Sequence, residues 1–522
     1  MSNEQSPSVI PSLLTQEKKK IKRDFRFVDM IFYTIAAILG IDTLGAVSSY
    51  GGQALFWILL SAVTFLLPYG LLTAELGSTF PQEGGVYEWG KMACGRFYAA
   101  LTSMFYWISN PLWIGGTMFV TVVTSIKLFW FGDINMLFGG NKVSDTIITI
   151  LIALAFIWGT IICVLLPMRT GKWLATVGSI LKLVLLGLFV ILALALLLGS
   201  HATGDHLQFK DFLPTNDWSL IISGILPLLI FKWTGFEVQS GAGEEMENPQ
   251  RDVPRSLLGA GSVAVVAYVI PIAVILLALN KQQIANSSGF LQAISNVLVV
   301  LPQPLIITLK VILVPAIIIT MASSGATWMG GANRTYAITA LDHAAPQALG
   351  RFSSKYGTPL VTTLACGIIA TIAMVSAVLI TSFGDGSVQS LFTLVLGFTV
   401  SINTLSYLLI YPTYLILRYK YPEVKRPYRV PGGKFGAWLV TILTTGYAAI
   451  AVFFMLFPTD DVIKQAKVER FPYEATQLTA LGIVVLLTII FYYWGKREQK
   501  QELSAQAAST KEAGSLKYVE SH

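Results

Sequence analysis

Hydrophobic residues gather into long runs separated by short polar stretches, and twelve of the runs lie at about 27–50, 53–78, 98–125, 146–166, 173–199, 219–243, 254–279, 303–332, 358–382, 388–417, 435–457 and 475–495. About 20 residues, rising about 1.5 Å each, cross a hydrocarbon core of about 30 Å, so each run predicts a membrane helix. These are called the first to twelfth spans below. The basic stretch Lys18, Lys19, Lys20, Lys22 and Arg23 is not read as a cleavable leader, because the apolar run after it is too long and leads directly into eleven more.

Composition agrees with this pattern and narrows it. The 522 residues are 54% hydrophobic and 12% charged, against about 25% charged in a soluble protein, which excludes a disordered chain or a soluble globular one. The net charge of +7 raises the question of where the basic residues lie. If both termini are cytoplasmic, the tails and the loops on their side hold 26 of the 36 Lys and Arg, the opposite side holds seven, and Lys182, Lys232 and Lys310 fall inside spans. The basic excess is therefore a topology signal that places both termini in the cytoplasm, in a plasma (inner) membrane. No folded basic face interleaved with aromatics is left to bind nucleic acid. Cys94, Cys163 and Cys366 show no paired or metal-ligand spacing, so neither a disulfide framework, a zinc site nor any cofactor is expected.

Two spans carry polar interruptions near their middles. The first reads Ile38-Leu39-Gly40-Ile41-Asp42-Thr43-Leu44-Gly45-Ala46 and the sixth reads Phe231-Lys232-Trp233-Thr234-Gly235-Phe236-Glu237. A charge at the bilayer centre costs about 2.5 to 3.5 kcal/mol on insertion scales, so such residues face a protein interior or an aqueous pathway. The two interruptions lie five spans apart, and a repeat of five spans has inverted topology. This predicts an all-α membrane protein of twelve helices, in which residues 27–417 form a ten-helix 5+5 inverted-repeat core with helices 1 and 6 broken at its midplane. The remaining parts are a basic N-tail at 1–26, peripheral helices 11 and 12 at 418–495, and a disordered polar C-tail at 496–522.

At these residues the chain resembles the amino acid, polyamine and organocation transporter superfamily. The resemblance rests on Ala74-Glu75-Leu76 with Pro81, Gly84-Gly85, Tyr87 and Trp89, and on Thr234-Gly235-Phe236-Glu237. It continues with Glu244-Glu245, Asn248-Pro249, Arg251 and Pro254-Arg255, and with Trp328 through Asn333-Arg334 to Asp342 and Pro346. It implies a leucine-transporter-type fold and secondary active transport of amino acids or amines by alternating access, as a proton symporter or an exchanger. Polyamine and glutamate/aminobutyrate antiporters are the alternative within the same superfamily. The usual Gly-Ser-Gly run of helix one is replaced here by isolated glycines around Asp42, which favours an amine-bearing or cationic substrate.

The candidate substrate contacts are Gly40, Ile41, Asp42 and Thr43 at the first interruption, Phe231, Trp233, Gly235 and Phe236 at the sixth, and Trp328 in the eighth span. Asp42 is read as a partner for a substrate ammonium, a coupling-proton site, or a cap on the second half-helix. Phe231, Phe236 and Trp328 match positions where the family places cation-stacking walls. Glu237 matches the family's proton-linked glutamate, with Lys232 as the nearest compensating cation in the sequence. Lys182, alone in the fifth span, matches a lysine that in some relatives takes the place of a sodium ion between helices one and eight. It is either a proton carrier or a structural tether. Glu75 reads as a structural cap and Asn286-Ser287-Ser288 as a chance glycosylation sequon.

The contrasting classes find little support. His201, His206, His343 and His522 all lie outside the predicted spans, and no zinc-protease helix, nucleophile elbow or phosphate-cradling loop is present, which disfavours an enzyme or an ATP-driven pump. No repeated filter sequence suggests a channel. The expected partners are a small amino acid or amine, protons or a counter-substrate, and the lipid bilayer.

Overall fold

Backbone that crosses hydrocarbon must satisfy its own N–H and C=O groups, and this chain does so with helices. The computed structural model describes residues 23–41, 44–132, 141–199, 209–215, 217–279, 289–383, 388–466 and 468–519. Among these the β-type pairings are two isolated bridges, Phe25 with Met246 and Phe352 with Pro359. Eleven helical segments are long and apolar enough to cross a membrane, from Gln53–Thr79, the second span, to Arg470–Ala505, the twelfth. The first span falls short of this length because it is divided: one helix covers Phe27–Ile38 and a second covers Leu44–Ser48. Asp42 and Thr43 lie outside the described residues.

The sixth span is interrupted in the same way. Its helix stops at Trp233, Thr234 is extended, and the chain continues as a 3-10 helix over Val238–Glu245. Gly235 sits between them at φ +128°, a conformation that a side chain would strain. Its missing side chain also leaves room, since a Cβ there would lie 3.2 Å from the Ala37 methyl and 3.3 Å from the Trp328 ring. The two interrupted spans therefore meet at this point.

Other spans are adjusted around them. Pro111 lies inside the third span and cannot donate to the turn before it; the helix continues through a π-turn at Ile114–Met118. The eighth span is one helix, Gln303–Leu341, longer than its apolar run. The segment Phe27–Ile38 packs against the fifth, seventh and eighth spans. Gly331 of the eighth span lets the 3-10 segment approach closely, for a Cβ there would lie 2.4 Å from the Val238 carbonyl oxygen.

The chain end differs from the flexible tail expected at 496–522. The last helix runs from Arg470 to Val519. Glu498 accepts a hydrogen bond from the Gln347 backbone N–H at 2.7 Å, and Glu502 accepts one from Gln347 Nε2 at 3.1 Å. The polar extension is thus docked on the turn that follows the eighth span. The sequon at Asn286 and the basic stretch from Lys18 to Lys22 lie outside the described residues.

Candidate functional site

A helix that ends inside a membrane leaves its last carbonyls without intrahelical partners, and each needs a donor. Four other spans supply donors to the end of Phe27–Ile38. Lys182 Nζ donates to the Ala36 carbonyl at 2.7 Å and to Ser324 Oγ at 2.6 Å, and Ser324 Oγ itself reaches Ala36 O at 3.1 Å. Trp328 Nε1 donates to the Ala37 carbonyl at 2.9 Å. The Tyr268 hydroxyl donates to the Ile38 carbonyl at 2.6 Å and accepts from the Gly40 N–H at 2.8 Å. Lys232 Nζ donates to the Gly40 carbonyl, with its ammonium 4.7 Å from the centre of the Tyr268 ring. Two ammonium groups at one helix C-terminus oppose its partial negative charge.

Beside this break lies a narrow cavity. The break and the residues that cap it contribute Ala37, Ile38, Gly40, Lys232, Thr234 and Tyr268 to the lining, and Ser109, Asn110, Thr399 and Asn403 add polar groups. Phe231, Trp113 and Trp328 complete the lining as aromatic faces. Trp113 stands edge-on to both Phe231 and Trp328, at 6.3 Å and 6.2 Å between ring centres. The mixture of apolar wall and few convergent polar groups is typical of small-molecule sites.

Glu237 lies behind this cavity in a cage of phenols. Tyr106 and Tyr407 donate to its Oε1 at 2.9 and 2.7 Å, and Tyr69 donates to its Oε2. The Tyr69 hydroxyl in turn accepts from the backbone N–H groups of Gly235 and Phe236, at 3.1 and 2.9 Å. The carboxylate is thereby tied to the exposed amides of the sixth-span break and to the second, third and tenth spans. Neutral hydroxyl donors surround it where Lys232 was expected as its compensating cation, and Lys232 points instead to the first-span break.

The candidate residues therefore divide. Gly40, Phe231 and Trp328 line the cavity, and Gly235 lies against Trp328. Ile41 is buried outside the lining, Trp233 is bonded to Ser61 Oγ at 2.9 Å, and the Phe236 ring is wedged between Gly70 and Gly261. Lys182 holds the first and eighth spans together rather than facing the cavity. Asn110 lines the cavity and also caps its own kink, donating to the Tyr106 carbonyl at 2.8 Å. Glu75 is a buried structural joint, accepting from Tyr414 Oη and the Val430 N–H at 3.0 and 2.7 Å.

Sequence reasoning missed Tyr268, Thr399, Asn403 and the phenol cage. One signal was available for the cage: Tyr407, Tyr411 and Tyr414 fall on one helical face, which a lipid-facing surface has no reason to carry.

A second buried cluster joins the loop after the second span, the end of the sixth and the eighth span. Arg334 Nε lies 2.5 Å from Glu245 Oε1 and 3.6 Å from Glu83 Oε1, all three side chains being almost wholly buried. Glu83 accepts from the Glu244 N–H at 3.1 Å, and the Asp24 and Phe25 N–H groups both donate to the Glu245 carbonyl at 3.0 Å. Burial, followed by the neighbouring Glu245 carboxylate, holds the Glu83 carboxyl well above the usual range, with Arg334 pulling the other way.

Comparison with known proteins follows the same outline. Residues 25–494 match the family model described as amino acid permease. A probable agmatine/putrescine antiporter of Lactococcus lactis subsp. lactis is 27% identical over 491 residues, which cover 93% of this chain and 97% of that protein. A glutamate/gamma-aminobutyrate antiporter of the same organism is 24% identical over 84% of each chain. A branched-chain amino acid permease of Bacillus subtilis is 24% identical over 80% of this chain and 86% of its own length.

Proposed function

The chain belongs to the amino acid permease family, and from that premise we propose that the cavity between its two broken spans is the binding site of an exchanger or proton symporter. The protein is a multi-pass membrane protein and a secondary transporter of amino acids or related amines, not an enzyme. Its fold is the family's all-α twelve-helix architecture with a 5+5 inverted repeat. The observation that carries the reading is the end of Phe27–Ile38, where backbone groups of a broken helix meet the Lys232 ammonium at the edge of an aromatic-walled cavity. Unwound backbone at mid-membrane depth is tolerated where it lines a cavity, and it is there that transporters bind charged solutes.

In this reading the substrate lies against Gly40, Phe231, Thr234 and Trp328. The antiporters among the relatives favour exchange of an amine or amino acid for a related counter-substrate. The distribution of Lys and Arg favours cytoplasmic termini in the plasma membrane, which makes the Glu83–Glu245–Arg334 cluster the cytoplasmic closure. Residues 27–417 would then move as the transport core, with 418–495 peripheral.

Proteoliposome uptake tests this directly. A panel of amino acids, polyamines and aminobutyrate, run with and without a pH gradient and with internal counter-substrate, is expected to show saturable uptake stimulated by internal substrate. Uptake that rises linearly with concentration and ignores internal substrate would sink the carrier reading. Glu237→Gln is the accompanying variant. Hydrogen bonds to a charged group contribute about 1.5 to 3 kcal/mol each, so a neutral amide inside the phenol cage is expected to lower the melting temperature and flatten the pH profile of uptake. An unchanged profile would remove Glu237 from proton coupling.

A further inference from the structure

We propose that Tyr268 determines specificity: its hydroxyl occupies the head-group position at the first-span break, so the cavity selects solutes that lack an α-amino-acid head over their α-carboxylated counterparts. The proposal rests on the reading of this cavity as the substrate site.

An α-amino acid presents an ammonium donor and a carboxylate acceptor one carbon apart. Among the described residues of the break, the Gly40 N–H and the Ile38 carbonyl are a donor and an acceptor spaced for such a head. A single oxygen of the protein already serves both, because the Tyr268 hydroxyl donates to Ile38 O at 2.6 Å and accepts from Gly40 N at 2.8 Å. The neighbouring carbonyls are engaged too: Gly40 O by Lys232, Ala37 O by Trp328, and Ala36 O by Lys182 and Ser324.

The hydroxyl is held firmly in place. Tyr268 is fully buried, its ring meets Trp233 edge-on at 5.3 Å and 83°, and the Lys232 ammonium lies over its face. The Ile38 carbonyl keeps a second lone pair, but the Gly40 N–H is a single donor, so an α-carboxylate can take it only by breaking the hydrogen bond to a preorganised side chain. A solute whose polar groups sit at the two ends of a chain avoids that cost. Its polar ends can use the Ser109, Asn110, Thr399 and Asn403 groups that line the same cavity and leave the Tyr268 hydrogen bonds in place.

The test compares matched pairs that differ by one α-carboxylate: arginine with agmatine, ornithine with putrescine, and glutamate with γ-aminobutyrate. Uptake into proteoliposomes is measured for the wild type, Tyr268→Phe, which frees the two backbone groups, and Tyr268→Ala, which also opens space. The wild type is expected to prefer the decarboxylated member in the pair it transports. In the variants that preference should fall about tenfold, the worth of roughly one net hydrogen bond. Ligand-induced shifts in melting temperature of the purified variants give the same ratio if a variant binds without transporting. A wild type that prefers the α-amino acid in every pair overturns the proposal without any variant, as does a ratio that is the same in all three proteins. If the wild type takes up none of the six compounds, the proposed substrate class falls while transport of another amino acid stands; uptake with an unmoved ratio removes the assignment to Tyr268.

Discussion

Arg334→Ala is expected to be the most destabilising single substitution in the molecule. It leaves Glu83 and Glu245 buried beside one another without the guanidinium that lies 3.6 and 2.5 Å from them. Removing one partner of a buried ion pair costs about 3 to 5 kcal/mol, because the remaining charge has neither water nor a counter-ion. The loss should read as a large fall in melting temperature of the detergent-solubilised protein. Its pH dependence has a definite sign. Glu83 has its carboxyl held above the ordinary value in the folded protein, so its contribution is fully present below the ordinary carboxyl range and is lost as pH rises through the raised value. The wild-type protein should therefore hold this closure more firmly in acid. The Arg334→Ala deficit should shrink as pH falls, and Glu83→Gln introduced into Arg334→Ala should recover part of it at neutral pH. A deficit that is independent of pH and unrelieved by Glu83→Gln would mean that Arg334 contributes packing rather than charge.

The fold was largely legible in the sequence because bilayer thickness imposes a length on each apolar run, and both interruptions were visible as polar residues inside such runs. What could not be read was which side chains meet at them. The register between neighbouring helices is set by packing of faces that are all apolar, so nothing in a single run says that Tyr268 points at Ile38 or that Tyr69, Tyr106 and Tyr407 converge on Glu237. Proximity in sequence was misleading for Lys232. Five residues from Glu237, it appeared to be the compensating cation, but the chain turns through Gly235 between them and sends the two charges in opposite directions. The C-terminal tail is a different case. Its polar composition argues against burial, not against helix, and the acceptor groups of Glu498 and Glu502 find donors on the turn after the eighth span.

Lys182→Met is expected to abolish net accumulation of substrate, and the manner of the loss separates the two roles open to this lysine. The side chain is fully buried and joins the end of Phe27–Ile38 to Ser324 of the eighth span through two short hydrogen bonds. Methionine keeps the length and most of the volume while removing the charge, so the lost interaction is the charge-assisted pair, worth about 1.5 to 3 kcal/mol for each bond. That free energy holds together the two spans whose relative position defines the cavity wall. If the ammonium is only a tether, exchange and pH-driven accumulation should fail together, with a lowered melting temperature, because the wall itself is disturbed. If it is a proton carrier, it must lose its charge at one stage of the cycle and release Ala36 and Ser324 then. Lys182→Met should in that case still exchange internal for external substrate, but no longer respond to a pH gradient. Counterflow and gradient-driven uptake measured on the same proteoliposomes distinguish these outcomes. Full gradient-driven accumulation by Lys182→Met would exclude Lys182 from coupling and turn attention to Glu237, in its cage of three phenols, and to Lys232 at the first-span break, both buried groups with a proton to exchange.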